Sequence, residues 1–266
     1  MLTLIRGAGD LASGIALRLW RAGFDIVMTE IARPTTIRRT VAFSEAVLRG
    51  ETAVEGVTAK RAENAAEARR LLEDGILPVL VDPSCACREE LCPDALVDAI
   101  LAKRNLGTTA EDAPVVVGVG PGFTAGVDCH AVVETMRGHT LGRVIYKGSA
   151  LPNTNIPGLI GGYAGERVLR APADGQFAGT REIGDVVAEG DTVGFVAGQP
   201  MVCTIGGVLR GRIADGVPVK KGMKAGDVDP RGEVSYCYTS SDKALAVGGG
   251  VLEAILCLTG GKRHGI

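Results

Sequence analysis

The chain has 266 residues, 46% of them apolar, and a formal net charge of −2. That length supports one large domain or two modest ones, and nothing in the balanced charge suggests a nucleic-acid or membrane-surface partner. Glycine is abundant at 38 residues while aromatics make up only 4%. Such a composition suits tight turns and close backbone approach, not single-strand nucleic-acid binding, which needs aromatic platforms.

Arg6, Asp10 and Arg18 interrupt the apolar N-terminal stretch, so it reads neither as a signal peptide nor as a spanning helix. The expectation is a soluble, cytoplasmic protein with no nucleic-acid or membrane partner. Its seven cysteines then read as thiols or metal ligands rather than a disulfide framework.

In chain order, Leu2–Ile5 reads as a strand, a glycine turn follows, and Leu11, Ile15, Ala16 and Leu19 recur at helical spacing up to Trp20. Phe24–Thr29 reads as the strand closing this β-α-β unit. Thr35–Leu48 reads as a helix, Val54–Lys60 as a strand, and Asn64–Asp74 as a helix with Asn64 at its N-cap. Ile76–Val81 and Pro114–Val119 are buried apolar strands, with an amphipathic helix expected between them at Pro93–Arg104. This alternation predicts a Rossmann-like α/β domain over residues 1–160. From Val127 onward, short strands alternate with glycine turns, and a boundary falls in the Pro- and Gly-rich run near Asn155–Gly165. An all-β domain over 161–240 and a C-terminal helix and tail over 241–266 complete the division. The helix is expected at Ser241–Leu258, weakened by Gly248, Gly249 and Gly250.

The first turn reads G-x-G-x-x-A between a strand and a helix. Gly7 permits the turn, Gly9 lets backbone approach a pyrophosphate, and Ala12 lets helix and strand pack closely. The helix N-terminus then offers N–H groups to phosphate. Glu30, about 20 residues on, stands where an acid would meet a ribose hydroxyl. Asp10 departs from the fingerprint because it would repel an anion. A second glycine loop, with Gly118, Gly120, Gly122 and Phe123, could face the first across a crevice. The expected ligand is a nucleotide or dinucleotide.

Asp128, His130 and Glu134 have even spacing and would share one strand face. They could move protons or bind metal, or simply form a polar face. They are the weak catalytic candidates of a rival reading as an NAD(P)-dependent oxidoreductase. Cys85, Cys87 and Cys92 form C-x-C-x4-C. Three thiols so close could ligate a soft metal, with Cys129 or another subunit supplying a fourth ligand. They could instead carry sulfur or selenium, or be incidental. Cys203, Cys237 and Cys257 read as core residues.

In the second half, residues 184–191 and 216–223 both read G-x-x-V-x-x-G-x, each before an apolar strand. This pseudo-twofold pattern resembles the biotinyl/lipoyl-type barrel-sandwich hybrid. The central tip, Gly198-Gln199-Pro200, holds no carrier lysine, so no biotin or lipoate is expected.

Six stretches carry a broader resemblance: GAGDLASG, GPGFTAGVDCHAVVETMRGHTLGRVI, VLRAPADG, LRGRIADG, GDVDPRG and SDKALAVGGGVLEAIL. Together they resemble the YqeB-type family of selenium-dependent molybdenum hydroxylase system proteins. The resemblance implies an accessory role in cofactor maturation or insertion, with molybdopterin dinucleotide as the natural ligand. It implies a hydroxylase client or another maturation protein as partner, and leaves room for a homo-oligomer. It implies no particular set of acting residues.

Overall fold

The apolar runs of the first half stand side by side in the computed structural model, which describes residues 1–260; residues 261–266, assigned above to the C-terminal tail, lie outside the described residues. The strands are β1 (Leu2–Arg6), β2 (Asp25–Glu30), β3 (Glu51–Val54), β4 (Val57–Ala62), β5 (Leu77–Val81), β6 (Ala95–Asp98), β7 (Val115–Val119), β8 (Thr124–Ala125), β9 (Ala131–Val133), β10 (Val144–Ile145) and β11 (Gly148–Ser149). Nine of them form one sheet in the order β10-β9-β7-β6-β1-β2-β5-β4-β3, and β8 pairs with β11 apart from it. The seven inner strands run parallel. The two edge strands, β3 and β10, run antiparallel to their neighbours.

The helices of this part are α1 (Asp10–Arg21), α2 (Glu45–Arg49), α3 (Ala65–Glu73), α4 (Arg88–Leu91) and α5 (Asp242–Thr259). α1 buries Leu11, Ile15 and Leu19 along one face, each contributing roughly 1.5–3 kcal/mol. Asn64 caps α3 by accepting from the Glu67 N–H at 2.9 Å. Ser241 caps α5 by accepting from the Ala244 N–H at 3.2 Å. Two of the three glycines that weaken α5 admit close neighbours. A Cβ on Gly248 would stand 2.9 Å from the Gly14 carbonyl oxygen, and one on Gly250 would stand 2.1 Å from that of Gly142.

The Rossmann-like expectation is corrected. The sheet is mixed and nine strands wide, and only α1 and α3 are helices of more than five residues between its strands. The expected helix Pro93–Arg104 is instead β6 followed by a loop in which Leu101 and Lys103 take positive φ. Leu96 and Val97 look helical in spacing, yet they lie between β1 and β7, and ladder hydrogen bonds with both neighbours override the local pattern. The expected helix Thr35–Leu48 shrinks to a 3-10 turn at Arg39–Val41 and the five-residue α2. The single expected strand Val54–Lys60 is part of a hairpin, turned at Glu55 and Gly56, both at positive φ.

The chain divides into two compact units. The first contains residues 1–32, 43–154 and, of the described residues, 240–260; the second contains 33–42 and 155–239. The second unit holds β12 (Val168–Arg170), β13 (Gly175–Gly179), β14 (Val186–Val187), β15 (Thr192–Val196), β16 (Gln199–Val202), β17 (Gly207–Arg212), β18 (Pro218–Val219) and β19 (Lys224–Asp229). They form two four-stranded antiparallel sheets, β12-β19-β17-β14 and β16-β15-β13-β18, around a core that includes Leu169, Phe177, Val193, Leu209 and Val228.

The biotinyl/lipoyl-like barrel-sandwich assignment is corrected as well. The observed architecture is this pair of small sheets, and it is completed by a segment from far earlier in the chain. Ile37 packs on the core, and a Cβ on Gly211 would lie 2.7 Å from the Ile37 carbonyl oxygen. The Arg38 guanidinium donates to the carbonyls of Tyr236 and Thr239, and Arg39 Nε donates to that of Arg212. Local strand spacing carries no trace of a partner 173 or more positions upstream.

Candidate functional site

The carboxyl ends of β1, β2, β5, β6 and β7 share one edge of the sheet. The chain leaves β1 for β2 and β5, then returns to the other side of β1 as β6. In open parallel sheets, such a reversal leaves a crevice beyond the strand ends, where ligands bind. At this edge Gly7 follows β1 at φ +103°, and its N–H donates to the Thr29 carbonyl at 2.9 Å. A Cβ here would stand 3.0 Å from the Ala99 carbonyl oxygen, so the loop needs both the conformation and the space of glycine.

Gly9 is the N-cap of α1 and, as a glycine, has no side chain to cap it. Asp10 opens the helix and Ala12 is buried beneath it. The turn is braced from the other side: Ser13 Oγ donates to the Ala8 carbonyl and accepts from the Phe43 N–H, and the Ser44 N–H also donates to Ala8. Glu30 ends β2 and ties the turn to it. Its carboxylate accepts from the Ala8 N–H at 3.0 Å and the Ile31 N–H at 2.8 Å. Burial pushes its pKa above the ordinary value, with these two hydrogen bonds partly offsetting the rise.

Beneath this edge, Arg6 meets Asp98 at 3.3 Å, with both side chains buried. The Thr108 hydroxyl donates to the same carboxylate at 2.6 Å, and the Ile100 N–H donates to its other oxygen. Arg6 also donates to the carbonyls of Pro83 and Leu106, while its buried Nε–H has no acceptor among the described residues. Beside this network is a cavity of about 160 Å³ lined by Arg6, Ser84, Cys85, Arg88, Thr108 and Asp112, among others.

Cys85 is 2% exposed and sits at φ +58°, a left-handed conformation that costs a non-glycine residue about 1–2 kcal/mol. Its turn is pinned by Asp82, whose backbone carbonyl accepts from the Cys85 N–H. The Asp82 carboxylate accepts from Ser84 Oγ and the Cys87 N–H, each at 2.8 Å. The Cys87 thiol donates to the Cys85 sulfur, which lowers the Cys85 pKa. Burial and the Asp82 charge oppose this, while the Thr29 hydroxyl and the Arg6 charge reinforce it. The same hydrogen bond, with burial, raises the pKa of Cys87. Cys92 is exposed, and its thiol donates to the Glu89 carbonyl at 3.3 Å. The three cysteines are therefore a pair and a separate residue. Among the described residues no group of three or more His, Cys, Asp or Glu side chains is placed to hold a metal ion.

Asp128, His130 and Glu134 each accept hydrogen bonds from backbone N–H groups. Asp128 accepts from the Thr124 N–H within its own turn at 2.8 Å. His130 Nδ1 accepts from the Val116 N–H at 2.9 Å. Glu134 is buried and accepts from Thr135 and Met136 on one oxygen and Leu151 on the other.

The second glycine loop is packed rather than open. Phe123 lies over Gly118, Gly120 abuts Thr135, and Gly122 abuts the Arg104 backbone. Phe123 is itself buried in the core cluster under the sheet. Cys203 and Cys237 are buried as expected, and burial pushes Cys203 up to about 11. Cys257 is exposed, against expectation. Sequence reasoning missed Arg6, Asp98 and Thr108. An arginine ending an apolar strand and an aspartate inside another were the available signals.

No family model matches the chain. It is 54% identical over 257 residues to a curated relative, "Uncharacterized protein YqeB" of Escherichia coli (strain K12). The match covers 97% of this chain and 48% of the relative, so the chain spans about half the length of that protein. The resemblance to YqeB is thus shown; a link to selenium or molybdenum enzymes is not part of it. Among solved structures, the chain is similar to a succinylglutamate desuccinylase/aspartoacylase from Rhodobacter sphaeroides, at 15% identity and a TM-score of 0.27, covering 85% of this chain and 84% of that one. It is also similar to an aspartoacylase family protein from Mesorhizobium loti, at 13% identity and a TM-score of 0.26, covering 85% and 83%. Scores of this size carry no inference about fold or reaction. No helix among the described residues is long and apolar enough to cross a membrane.

Proposed function

We propose that this chain is a cofactor-handling protein that binds a nucleotide-containing ligand beyond the carboxyl ends of β1, β2 and β6. One observation carries the reading: α1 begins at Gly9, a residue with no side chain of its own to cap it, at the point of strand reversal. A helix N-terminus presents N–H groups and a partial positive charge to phosphate. Glu30 stands beside it and uses two of the roughly four acceptor positions of a carboxylate, which leaves capacity for a ribose hydroxyl. The resemblance to the YqeB-type family makes molybdopterin dinucleotide the natural ligand and a molybdenum hydroxylase the client in this reading.

The test is calorimetry with NADH, adenosine diphosphate and a pterin dinucleotide against the wild type and Gly9→Asp. Gly9 has φ −67° and ψ −178°, a conformation an aspartate adopts freely at an N-cap. The variant therefore caps α1 with its own carboxylate and keeps or raises the melting temperature. Wild-type binding of at least one of these, weakened tenfold or more in the variant, supports the proposal. Equal binding by both proteins removes the helix terminus from it.

A further inference from the structure

The glycine turn leaves the Cys85 cavity unused, and that cavity has features of a reactive centre. At roughly 30 Å³ per water, 160 Å³ is the space of about five water molecules. With Cys85 only 2% exposed, it admits a small molecule and excludes a protein surface. Cys85 and Cys87 stand two positions apart in one turn held by Asp82, whose backbone carbonyl accepts from the Cys85 N–H and whose carboxylate accepts from the Cys87 N–H, and Arg6 lines the same cavity as Cys85. The Arg88 guanidinium donates to the Cys85 carbonyl at 3.0 Å, fixing the same turn from the cavity side. The buried Arg6 Nε–H, without an acceptor among the described residues, is a spare donor on a residue lining the cavity.

We propose that Cys85 is a nucleophilic thiol that reacts with small peroxides entering this cavity, and that Cys87 is its resolving partner. In the first step, the Cys85 thiolate attacks one oxygen of hydrogen peroxide. An S–O bond forms, the O–O bond breaks, and the departing hydroxide takes a proton and leaves as water. The sulfur is oxidised by two electrons to a sulfenic acid and the peroxide is reduced. In the second step, the Cys87 sulfur attacks Cys85. An S–S bond forms, the S–O bond breaks, and the leaving hydroxide departs as water with the Cys87 proton. Two thiols and one peroxide give a disulfide and two waters.

This chemistry stands apart from nucleotide binding. Its test uses the full reduced chain exposed to about one equivalent of hydrogen peroxide at pH 7, then alkylated, digested and weighed. Trypsin cuts after Arg88, so one peptide carries Cys85 and Cys87 without Cys92. The expected result is loss of two hydrogens from that peptide, at least about tenfold faster than oxidation of exposed Cys92 or Cys257, because an ordinary thiol is only a few per cent thiolate at pH 7. In Cys87→Ser, dimedone is expected to trap a sulfenic acid on Cys85. Oxidation of Cys92 or Cys257 first, or of all thiols at one rate, overturns the proposal without any variant. A folded Cys87→Ser protein that yields no Cys85 adduct also overturns it.

Discussion

Arg6 and Asp98 end adjacent parallel strands, and their guanidinium and carboxylate meet at 3.3 Å with both side chains buried. Thr108 holds the same carboxylate oxygen, so the pair also anchors the loop that follows β6. Removing one member leaves the other charged and buried. Asp98→Ala is expected to cost about 3–5 kcal/mol. Asp98→Asn, which keeps one carbonyl acceptor for either Thr108 or Ile100, should cost less. Urea unfolding of the two variants, with unchanged m-values, checks the order.

The three consecutive glycines of α5 supply an internal control. A Cβ on Gly249 would meet nothing within 4 Å among the described residues, whereas one on Gly250 would sit 2.1 Å from the Gly142 carbonyl oxygen. Gly249→Ala should stabilise the protein by up to about 1 kcal/mol through helix propensity. Gly250→Ala should destabilise it by about 1–3 kcal/mol through overpacking. Thermal unfolding that ranks the two the other way would refute this packing.

Glu30 sets one pH dependence. Its folded pKa is raised above 4.5 by burial, so between 4.5 and the folded value the native state binds more protons than the unfolded chain. Its contribution therefore falls as pH rises through that window. Glu30→Gln should flatten the stability profile there, as read from urea midpoints at intervals from pH 4 to 7.

Asp229 acts with the opposite sign. Burial alone would push its carboxyl up, but hydrogen bonds from Arg231 and the charges of Arg210 and Arg231 outweigh it and hold the pKa below 3.8. Its stabilisation is present above 3.8 and is lost as pH falls through the folded value. Asp229→Asn should lower stability at neutral pH and weaken its dependence on pH below about 4. Acid titration of unfolding midpoints distinguishes the two proteins.

Much of the first unit is legible locally. Val115–Val119 is a strand because five apolar residues without charge suit a position buried on both faces. Asn64 and Ser241 start helices because their side-chain oxygens satisfy first-turn N–H groups. The turn at Gly7 is legible because few other residues take positive φ at so little cost. By contrast, β6 hides in a helical-looking run, since its four residues acquire strand character only from β1 and β7. The proton-transfer candidates show a related effect. Spacing places Asp128, His130 and Glu134 on one line but says nothing of the backbone N–H groups that occupy each of them.

The sequence by itself determined the glycine turn, the strand runs, the caps and the presence of a close cysteine pair, because each rests on contacts within a few residues. Tertiary structure alone decided the width and mixed sense of the sheet, and the recruitment of residues 33–42 into the second unit. It also decided the pairing of Arg6 with Asp98 across 92 positions, and the enclosure of Cys85 beside a cavity. These depend on which distant segments a fold brings within hydrogen-bonding range, and burial gives such pairings their strength only after the chain has closed around them.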